Sequence, residues 1–216
     1  MNPGSTFKLE PMQHTTPRVP NHHADHPGFS GIVGLLAGLT MIVGRGEVAR
    51  LAGERARVAP GDRLVDVGCG PGAAAREAAR RGAAVTGVDP AAPMLGLARW
   101  LTRRRSSIAW IEGSAERLPV AADSATVVWS ISTVHHWHDI DAGLAETGRV
   151  LVAGGRFLAI ERRARPEAAG LASHGWSREQ ADAFAQRCRA AGFLDVSVET
   201  SKLRKKTVLA VHGVAP

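Results

Sequence analysis

Three glycines stand at alternate positions directly after a short apolar run. The segment reads Val65-Asp66-Val67-Gly68-Cys69-Gly70-Pro71-Gly72 and precedes an alanine-rich, helix-favouring stretch at 73–81. A strand–loop–helix junction of this kind allows a tight turn and lets backbone N–H groups approach a ligand closely. The loop therefore predicts a nucleotide-type cofactor site, although Gly68-x-Gly70-x-x-Ala73 also satisfies the looser dinucleotide fingerprint.

Two carboxylates narrow the choice of cofactor. Asp66 stands two residues before the first glycine, where it would repel a pyrophosphate but attract a cation such as the amino group of S-adenosylmethionine (SAM). Asp89 ends the next predicted strand, 21 residues after Gly68, and an acidic residue there can hold both hydroxyls of a ribose. Because NAD also carries ribose, Asp89 indicates an adenosine cofactor in general, whereas Asp66 favours SAM. Helix capping or turn formation is the alternative role for both carboxylates.

Two adjacent histidines follow the fourth predicted strand. His135 and His136 are expected at the carboxyl edge of the sheet, where open α/β sheets bind ligands. Imidazole has an ordinary pKa of about 6.5, which suits proton transfer at neutral pH. A hydroxyl group that reacts as a nucleophile usually needs a general base, whereas an amine or thiolate needs little more than desolvation. The pair is therefore a candidate catalytic base, and the alternative is that it orients the loop or contacts the cofactor.

Metal and disulfide patterns are not recognisable. His136-x-His138 with Asp139 lacks a complementary ligand pair elsewhere in the sequence, so no metal site is predicted. Cys69 and Cys188 lie 119 positions apart, which fits neither a disulfide framework nor a zinc pattern. A reducing compartment, and hence a cytoplasmic location, is expected.

The elements that position these residues alternate along the chain. Strands are predicted at 63–67, 84–88, 108–111, 125–131, 156–161, 194–199 and 206–212, and helices at 73–81, 91–102, 140–150 and 178–191. This alternation predicts one doubly wound α/β sheet, mostly parallel. Residues 200–205 are too few for a crossover helix, so the last strand should be antiparallel. Pro71 is predicted in the first helical turn, and Gly154-Gly155 as a turn before the fifth strand.

The residues before the first strand differ in character. Residues 1–29 contain five prolines and are predicted to form an irregular arm. Residues 30–59 are predicted to form a helical cover, within one domain that spans 30–216. The apolar run Gly31–Gly44 has fourteen residues, fewer than the roughly 18–20 that span a bilayer. Neither a transmembrane segment nor a signal peptide is predicted.

The charge balance is basic, with 27 Lys and Arg against 20 Asp and Glu and a formal net charge of +7. Such a balance permits an acidic partner without identifying one. Basic clusters stand at 103–105, 162–165 and 204–206, but aromatic residues are 5% of the chain and tyrosine is absent. With few aromatic side chains for base stacking, nucleic acid is not the expected partner.

Several segments, in order from about residue 60 to 162, resemble motifs of the class I SAM-dependent methyltransferases and of their type 11 group. The glycine loop 66–72 is similar to the first motif, and 87–95 is similar to the second. Residues 112–119 resemble the adenine-holding segment, with Ser114 where the family often has Asp. Residues 127–139 resemble the loop after strand four, and 149–157 the turn into strand five.

The resemblance implies a Rossmann-like, doubly wound, seven-stranded sheet, mostly parallel with an antiparallel last strand and an N-terminal helical lid. It implies an enzyme that moves a methyl group from SAM to a small-molecule acceptor. In related enzymes the segment before the first motif often covers the acceptor pocket, and a solvated arm is the alternative here. The implied cofactor-binding residues are Asp66, Gly68, Cys69, Gly70, Gly72, Asp89, Pro90, Met94, Ser114, Ala115, Glu116 and Ser130, with Glu116 compensating for Ser114.

Two other functions remain open at this stage. One is a macromolecular methyltransferase that acts on RNA or protein. The other is a non-catalytic or dinucleotide-binding protein built on the same sheet. The sequence names neither the acceptor atom nor the oligomeric state.

Overall fold

A computed structural model of the chain describes residues 45–102, 108–164 and 175–216. Its helices are α1 Gly46–Arg55, α2 Ala73–Arg80, α3 Ala92–Thr102, α4 Ile140–Val150 and α5 Arg178–Ala190. Its strands are β1 Arg63–Val67, β2 Ala84–Asp89, β3 Ile108–Glu112, β4 Ala125–Ile131, β5 Leu151–Arg162, β6 Leu194–Lys202 and β7 Thr207–Val214. The predicted arm 1–29, the apolar run 31–44 and the basic cluster 103–105 lie outside the described residues.

All seven strands form one sheet, in the order β3-β2-β1-β4-β5-β7-β6. The strands from β3 to β5 pair in parallel, whereas β7 lies between β5 and β6 and runs antiparallel to both. The predicted mixed sheet with an antiparallel last strand is therefore confirmed. In the described ranges no helix combines the length and the apolar composition needed to cross a bilayer.

Helices cover both faces of the sheet, because the central strands are apolar on both sides. On one face α4 and α5 contribute Leu144 and Phe184 to a core with Val128 of β4. On the other face α1 and α2 pack their small residues against Trp129 of the same strand. Burying both faces of β4 requires the near-continuous apolar run that the sequence shows there.

Several boundaries differ from the sequence-based expectation, and β6, for example, extends to Lys202 instead of ending at residue 199. Three of the differences involve an unusual local conformation. The helix predicted through residue 59 ends at Arg55, since Arg57 adopts a left-handed conformation with φ 50°. Pro71 precedes α2 instead of forming its first turn, because the helix cap is Gly72 in the left-handed region with φ 76°. Strand β5 starts at Leu151, and Gly154 and Gly155 lie within it at a register shift against β4. Glycine within a strand commonly marks such an irregularity.

Candidate functional site

The glycine loop turns sharply between β1 and α2. Gly68, Gly70 and Gly72 all have positive φ angles, of 70°, 52° and 76°, a region that costs other residues roughly 1–2 kcal/mol. The N–H groups of Gly68 and Cys69 donate to the Val88 carbonyl at 2.8 and 3.0 Å. The loop is thereby tied to the end of the neighbouring strand β2.

The three glycines differ in the space around them. A Cβ atom on Gly68 would lie 2.6 Å from Cβ of Thr133, and one on Gly72 would overlap the ring of Trp110. A Cβ on Gly70 would meet no described atom within 4 Å. Gly70 therefore faces open space, as expected where a loop leaves room for a ligand to approach its backbone.

Asp89, at the end of β2, binds this loop directly. Its Oδ2 accepts a hydrogen bond from the Gly70 N–H at 2.8 Å, and its Oδ1 accepts one from the Ala91 N–H at 2.9 Å. A carboxylate offers about four acceptor positions, so two remain for ribose hydroxyls. Burial raises the pKa of Asp89, while these two amides and the charge of Arg45 act in the opposite direction.

Asp66 is almost fully buried beside the loop, with 1% of its surface exposed. Burial raises its pKa from 3.8 to about 7, against the influence of the Trp129 indole, the Ala75 amide and Arg45, and Asp89 raises it further. Trp129 lies opposite Asp66 on β4. Among the described residues, no group lies close enough to Asp66 Oδ2, in a suitable direction, to donate a hydrogen bond to it.

The Asp66 oxygen is a test of whether the site fits SAM. A buried oxygen without a hydrogen bond is costly, and a cationic donor from a ligand would satisfy it. SAM carries an ammonium group, whereas the pyrophosphate of a dinucleotide would bring like charge to this position. The geometry around Asp66, Gly70 and Asp89 therefore fits SAM.

The loop after β4 is held to the glycine loop by Thr133, a residue that the sequence analysis did not single out. Thr133 Oγ1 donates to the Val67 carbonyl at 3.0 Å and lies 2.5 Å from the Ser130 hydroxyl. Just before it, Ser132 adopts a positive φ of 61°, and its N–H donates to the Ile160 carbonyl at 2.7 Å. Such strain is held in place by surrounding contacts and clusters at functional sites.

The two histidines of this loop have different surroundings. His135 Nδ1 lies 3.0 Å from both carboxylate oxygens of Glu161, a residue of β5 that sequence reasoning missed. His136 follows in the short 3-10 turn Val134–His136, and its ring centroid lies 4.0 Å from that of His135. A charged residue that ends an apolar strand was the signal available for Glu161.

The remaining histidine and acidic residues of the loop have structural contacts. The Asp139 side chain caps α4 by accepting from the N–H groups of Asp141 and Ala142 at 2.9 and 3.1 Å. Glu116 accepts from the His138 N–H at 2.7 Å. Within the described ranges no three His, Cys, Asp or Glu side chains are arranged to hold a metal ion.

The predicted adenine segment lies beside the same edge of the sheet. Ser114 pairs with Arg117 in an isolated bridge, and Ala115 is buried. Because Glu116 binds the backbone of the loop after β4, its carboxylate joins that loop to the adenine segment. Whether it also compensates for Ser114 stays a prediction.

Three other predicted cofactor residues lie in the glycine loop or follow β2. Cys69 is buried within the loop, and burial raises the pKa of its thiol well above the ordinary value. Pro90 is exposed directly after Asp89, and Met94 is buried on α3. Their contact with a cofactor stays a prediction.

Comparison with known proteins gives both a family match and relatives. Residues 65–159 match the family described as "Methyltransferase domain". A demethylmenaquinone methyltransferase from Tropheryma whipplei is 36% identical over 104 residues, which are 48% of this chain and 43% of the relative. A ubiquinone/menaquinone biosynthesis C-methyltransferase from Rubrivivax gelatinosus is 37% identical over 101 residues, 47% of this chain and 39% of the relative. The chain thus spans less than half the length of these relatives.

A solved structure supports the fold. A SAM-dependent methyltransferase from Aquifex aeolicus superposes with a TM-score of 0.72 at 14% identity, over 84% of this chain and 98% of that one. The likeness confirms the predicted seven-stranded architecture.

Proposed function

We propose that this chain, whose residues 65–159 match the family described as "Methyltransferase domain", transfers a methyl group from SAM to a small-molecule acceptor. The observation that carries the proposal is the set formed by Asp66, Gly70 and Asp89. The buried Asp66 oxygen without a hydrogen bond, the open side of Gly70 and the loop-binding carboxylate of Asp89 meet at one edge of the sheet.

Each of these groups has a role toward the cofactor in this proposal. Asp66 binds the ammonium group of SAM, and Asp89 binds its ribose hydroxyls. The backbone of the glycine loop approaches the part of SAM that joins these two groups. Ser114, Ala115 and Glu116 hold the adenine side, while Cys69, Pro90, Met94 and Ser130 line the rest. When bound, SAM supplies a methyl group already activated by its sulfonium sulfur.

The protein then has three tasks. It holds the acceptor in line with the methyl group, excludes water, and accepts a proton where the acceptor is a hydroxyl. His135 and His136 lie directly after β4, so this loop is the candidate for proton transfer. Holding both reactants in one geometry supplies most of the acceleration in a reaction of this kind.

The names of the relatives support a small acceptor. The proteins from T. whipplei and R. gelatinosus are named for demethylmenaquinone and for ubiquinone and menaquinone biosynthesis. We infer that the acceptor here is likewise a small molecule, acted on in the cytoplasm.

Calorimetry and a methyl-transfer screen test the proposal together. SAM and its demethylated product should bind, NAD should not, and Gly70→Val should abolish SAM binding in a folded protein. Turnover is then measured against amine, phenol, thiol and carboxylate acceptors. Preferential NAD binding, or methylation of RNA or protein substrates but of no small molecule, would contradict the proposed function.

A further inference from the structure

Glu161 is a carboxylate in an otherwise apolar environment. It follows the run Phe157-Leu158-Ala159-Ile160 at the carboxyl end of β5, and 0% of its surface is exposed. Burying a charged carboxylate is costly unless hydrogen bonds and an opposite charge compensate it. The groups that compensate Glu161 therefore indicate why the position is occupied by an acid.

Both compensating hydrogen bonds come from the loop after β4. Oε1 accepts from the Val134 N–H at 2.9 Å, and both oxygens lie 3.0 Å from His135 Nδ1. Glu161 thus fixes the backbone at the start of the 3-10 turn and the imidazole of the next residue together.

This contact determines which ring nitrogen carries the proton. An ionised carboxylate is an acceptor, so Nδ1 must be the donor. In the neutral imidazole the ring's basic lone pair is then on the other nitrogen, Nε2, which is the atom that takes a proton. Glu161 therefore selects the tautomer of His135 that acts as a base through Nε2.

Other charged groups also face His135. Arg45 precedes α1, and Arg162 is next to Glu161 on β5. The ring of His136 lies beside that of His135 in the loop. Burial lowers the pKa of His135, and so do the two arginines, but the charge and hydrogen bond of Glu161 outweigh them and leave it raised. The carboxylate thus favours the imidazolium that would form after proton transfer.

We propose that Glu161 is the positioning residue of the site and that it makes His135, rather than His136, the base for a hydroxyl acceptor. This inference rests on the proposed methyl-transfer function and extends it to a substrate class. The hydrogen bonds of Glu161 select His135 over its neighbour.

The proposed reaction is a nucleophilic substitution at the methyl carbon, coupled to a proton transfer. The acceptor oxygen forms a bond to the methyl carbon, and the carbon–sulfur bond breaks with its electron pair going to sulfur. The hydroxyl proton moves to Nε2 of His135, and the resulting imidazolium is paired with Glu161. The proton then leaves to solvent, which restores the neutral ring.

The first test needs no acceptor. In the cofactor-free protein, ¹⁵N NMR of the wild-type ring, assigned with His135→Gln, should show Nδ1 protonated and Nε2 bare in the neutral form. In Glu161→Gln the titration midpoint of His135 should fall by about one pH unit or more, since an adjacent opposite charge shifts a pKa by that amount. An Nε2–H tautomer of His135 in the wild type, or an unchanged titration midpoint in folded Glu161→Gln, would contradict the proposed role of Glu161.

The chain offers a matched control. Glu199 on β6 pairs with Arg55, and its Oε2 lies 3.9 Å from His212 Nε2. Glu199→Gln makes the same carboxylate-to-amide change at a second acid near a histidine, and it should leave the His135 midpoint unchanged. If Glu161→Gln fails to fold, the wild-type tautomer still decides the proposal.

The second test separates this inference from the proposed function. With a phenol acceptor, Glu161→Gln should lower kcat by about 10–100-fold, and the acidic limb of its pH profile should move down with the His135 midpoint. Glu199→Gln, the control introduced above, should retain the wild-type profile. Failure of SAM to bind would contradict the proposed function. Methyl transfer by Glu161→Gln with the pH profile of the wild type would contradict only the proposed role of Glu161.

Discussion

A Cβ atom on Gly72 would overlap the six-membered ring of Trp110. The same ring lies 2.5 Å from the position of a Cβ on Gly87, and its Nε1 donates to Thr102 Oγ1 at 3.0 Å. Trp110 therefore fills the space that two glycines leave open, one in the cofactor loop and one in β2. The indole thus packs against the glycine loop at Gly72 and against β2 at Gly87.

Gly72→Ala and Gly70→Ala should consequently have different effects. The first forces an atom against Trp110, so overpacking should lower the free energy of unfolding by about 1–3 kcal/mol in addition to the left-handed strain of about 1–2 kcal/mol that both positions share. The second meets open space, so it should cost little beyond left-handed strain, about 1–2 kcal/mol. Urea unfolding measures both.

Binding data complete the glycine test. Gly70→Val should fold and lose SAM affinity, because its side chain enters the ligand's space. Gly68→Val should lose stability as well, since its Cβ approaches Thr133. Normal SAM affinity in folded Gly70→Val would mean that the loop is a turn and no more.

Asp89→Ala should weaken SAM binding by about 1–3 kcal/mol, the cost of a lost charged hydrogen bond. The variant also loses the acceptor for the Gly70 N–H, so part of the effect reflects a looser loop. Calorimetry measures the affinity. Asp182→Ala, which removes an exposed partner of Arg178 on α5, is the control and should bind SAM normally; equal affinities in the two variants would remove Asp89 from the site.

Asp66→Asn should stabilise the cofactor-free protein at pH 8. The folded-state pKa of about 7 exceeds the ordinary 3.8, so the stability linked to this group is full below pH 4 and is lost as the pH rises through 7. Asparagine does not ionise, and at pH 8 the variant should gain roughly 1–4 kcal/mol, at about 1.36 kcal/mol per pKa unit. The gain should vanish near pH 4.

Thermal unfolding from pH 4 to pH 8 measures this difference, and calorimetry should show that the same variant binds SAM more weakly. Asp195→Asn on β6, an exposed position, is the control and should show no such pH dependence. An Asp66→Asn protein that is no more stable than the wild type at pH 8 would contradict the burial argument.

Thr133→Val should loosen the contact between the two loops. Valine keeps the shape beside Gly68 but leaves the Val67 carbonyl and the Ser130 hydroxyl without that partner. We expect a loss of about 1–2 kcal/mol in unfolding free energy and weaker SAM binding. Thr200→Val on β6 is the control; if the two variants are equally stable, Thr133 does not join the loops.

The fold was predictable because its elements have local signals. The strands β1, β2 and β4 are apolar runs bounded by glycine, proline or polar residues. The short link predicted at 200–205, which is 203–206 in the structure, specified the antiparallel pair. The start of β5 was predicted wrongly because Gly154-Gly155 has the composition of a turn, whereas Leu151 already pairs with β4 and the two glycines exchange backbone hydrogen bonds with Ala215. Tertiary pairing overrides local preference there.

The site was predictable in part for the same reason. Asp66, Asp89 and the glycines have a fixed spacing along one strand–loop–helix–strand unit, so their places at the carboxyl ends of β1 and β2 could be predicted from the sequence. Thr133 and Trp110 act through contacts with residues 66 and 38 positions away, Val67 and Gly72. No local pattern encodes such contacts, because they depend on the order of the strands.

The order of these residues along the chain also sets a sequence of events during synthesis. Asp66, Asp89 and Thr133 have all been translated once the ribosome has passed β4, whereas the partner of His135 lies on β5 at position 161. A nascent chain therefore contains Asp66, Asp89 and Thr133 before it contains Glu161. Until β5 joins the sheet, the imidazole has no carboxylate to fix its tautomer, so an incomplete chain that captured SAM would hold a methyl donor without an oriented base.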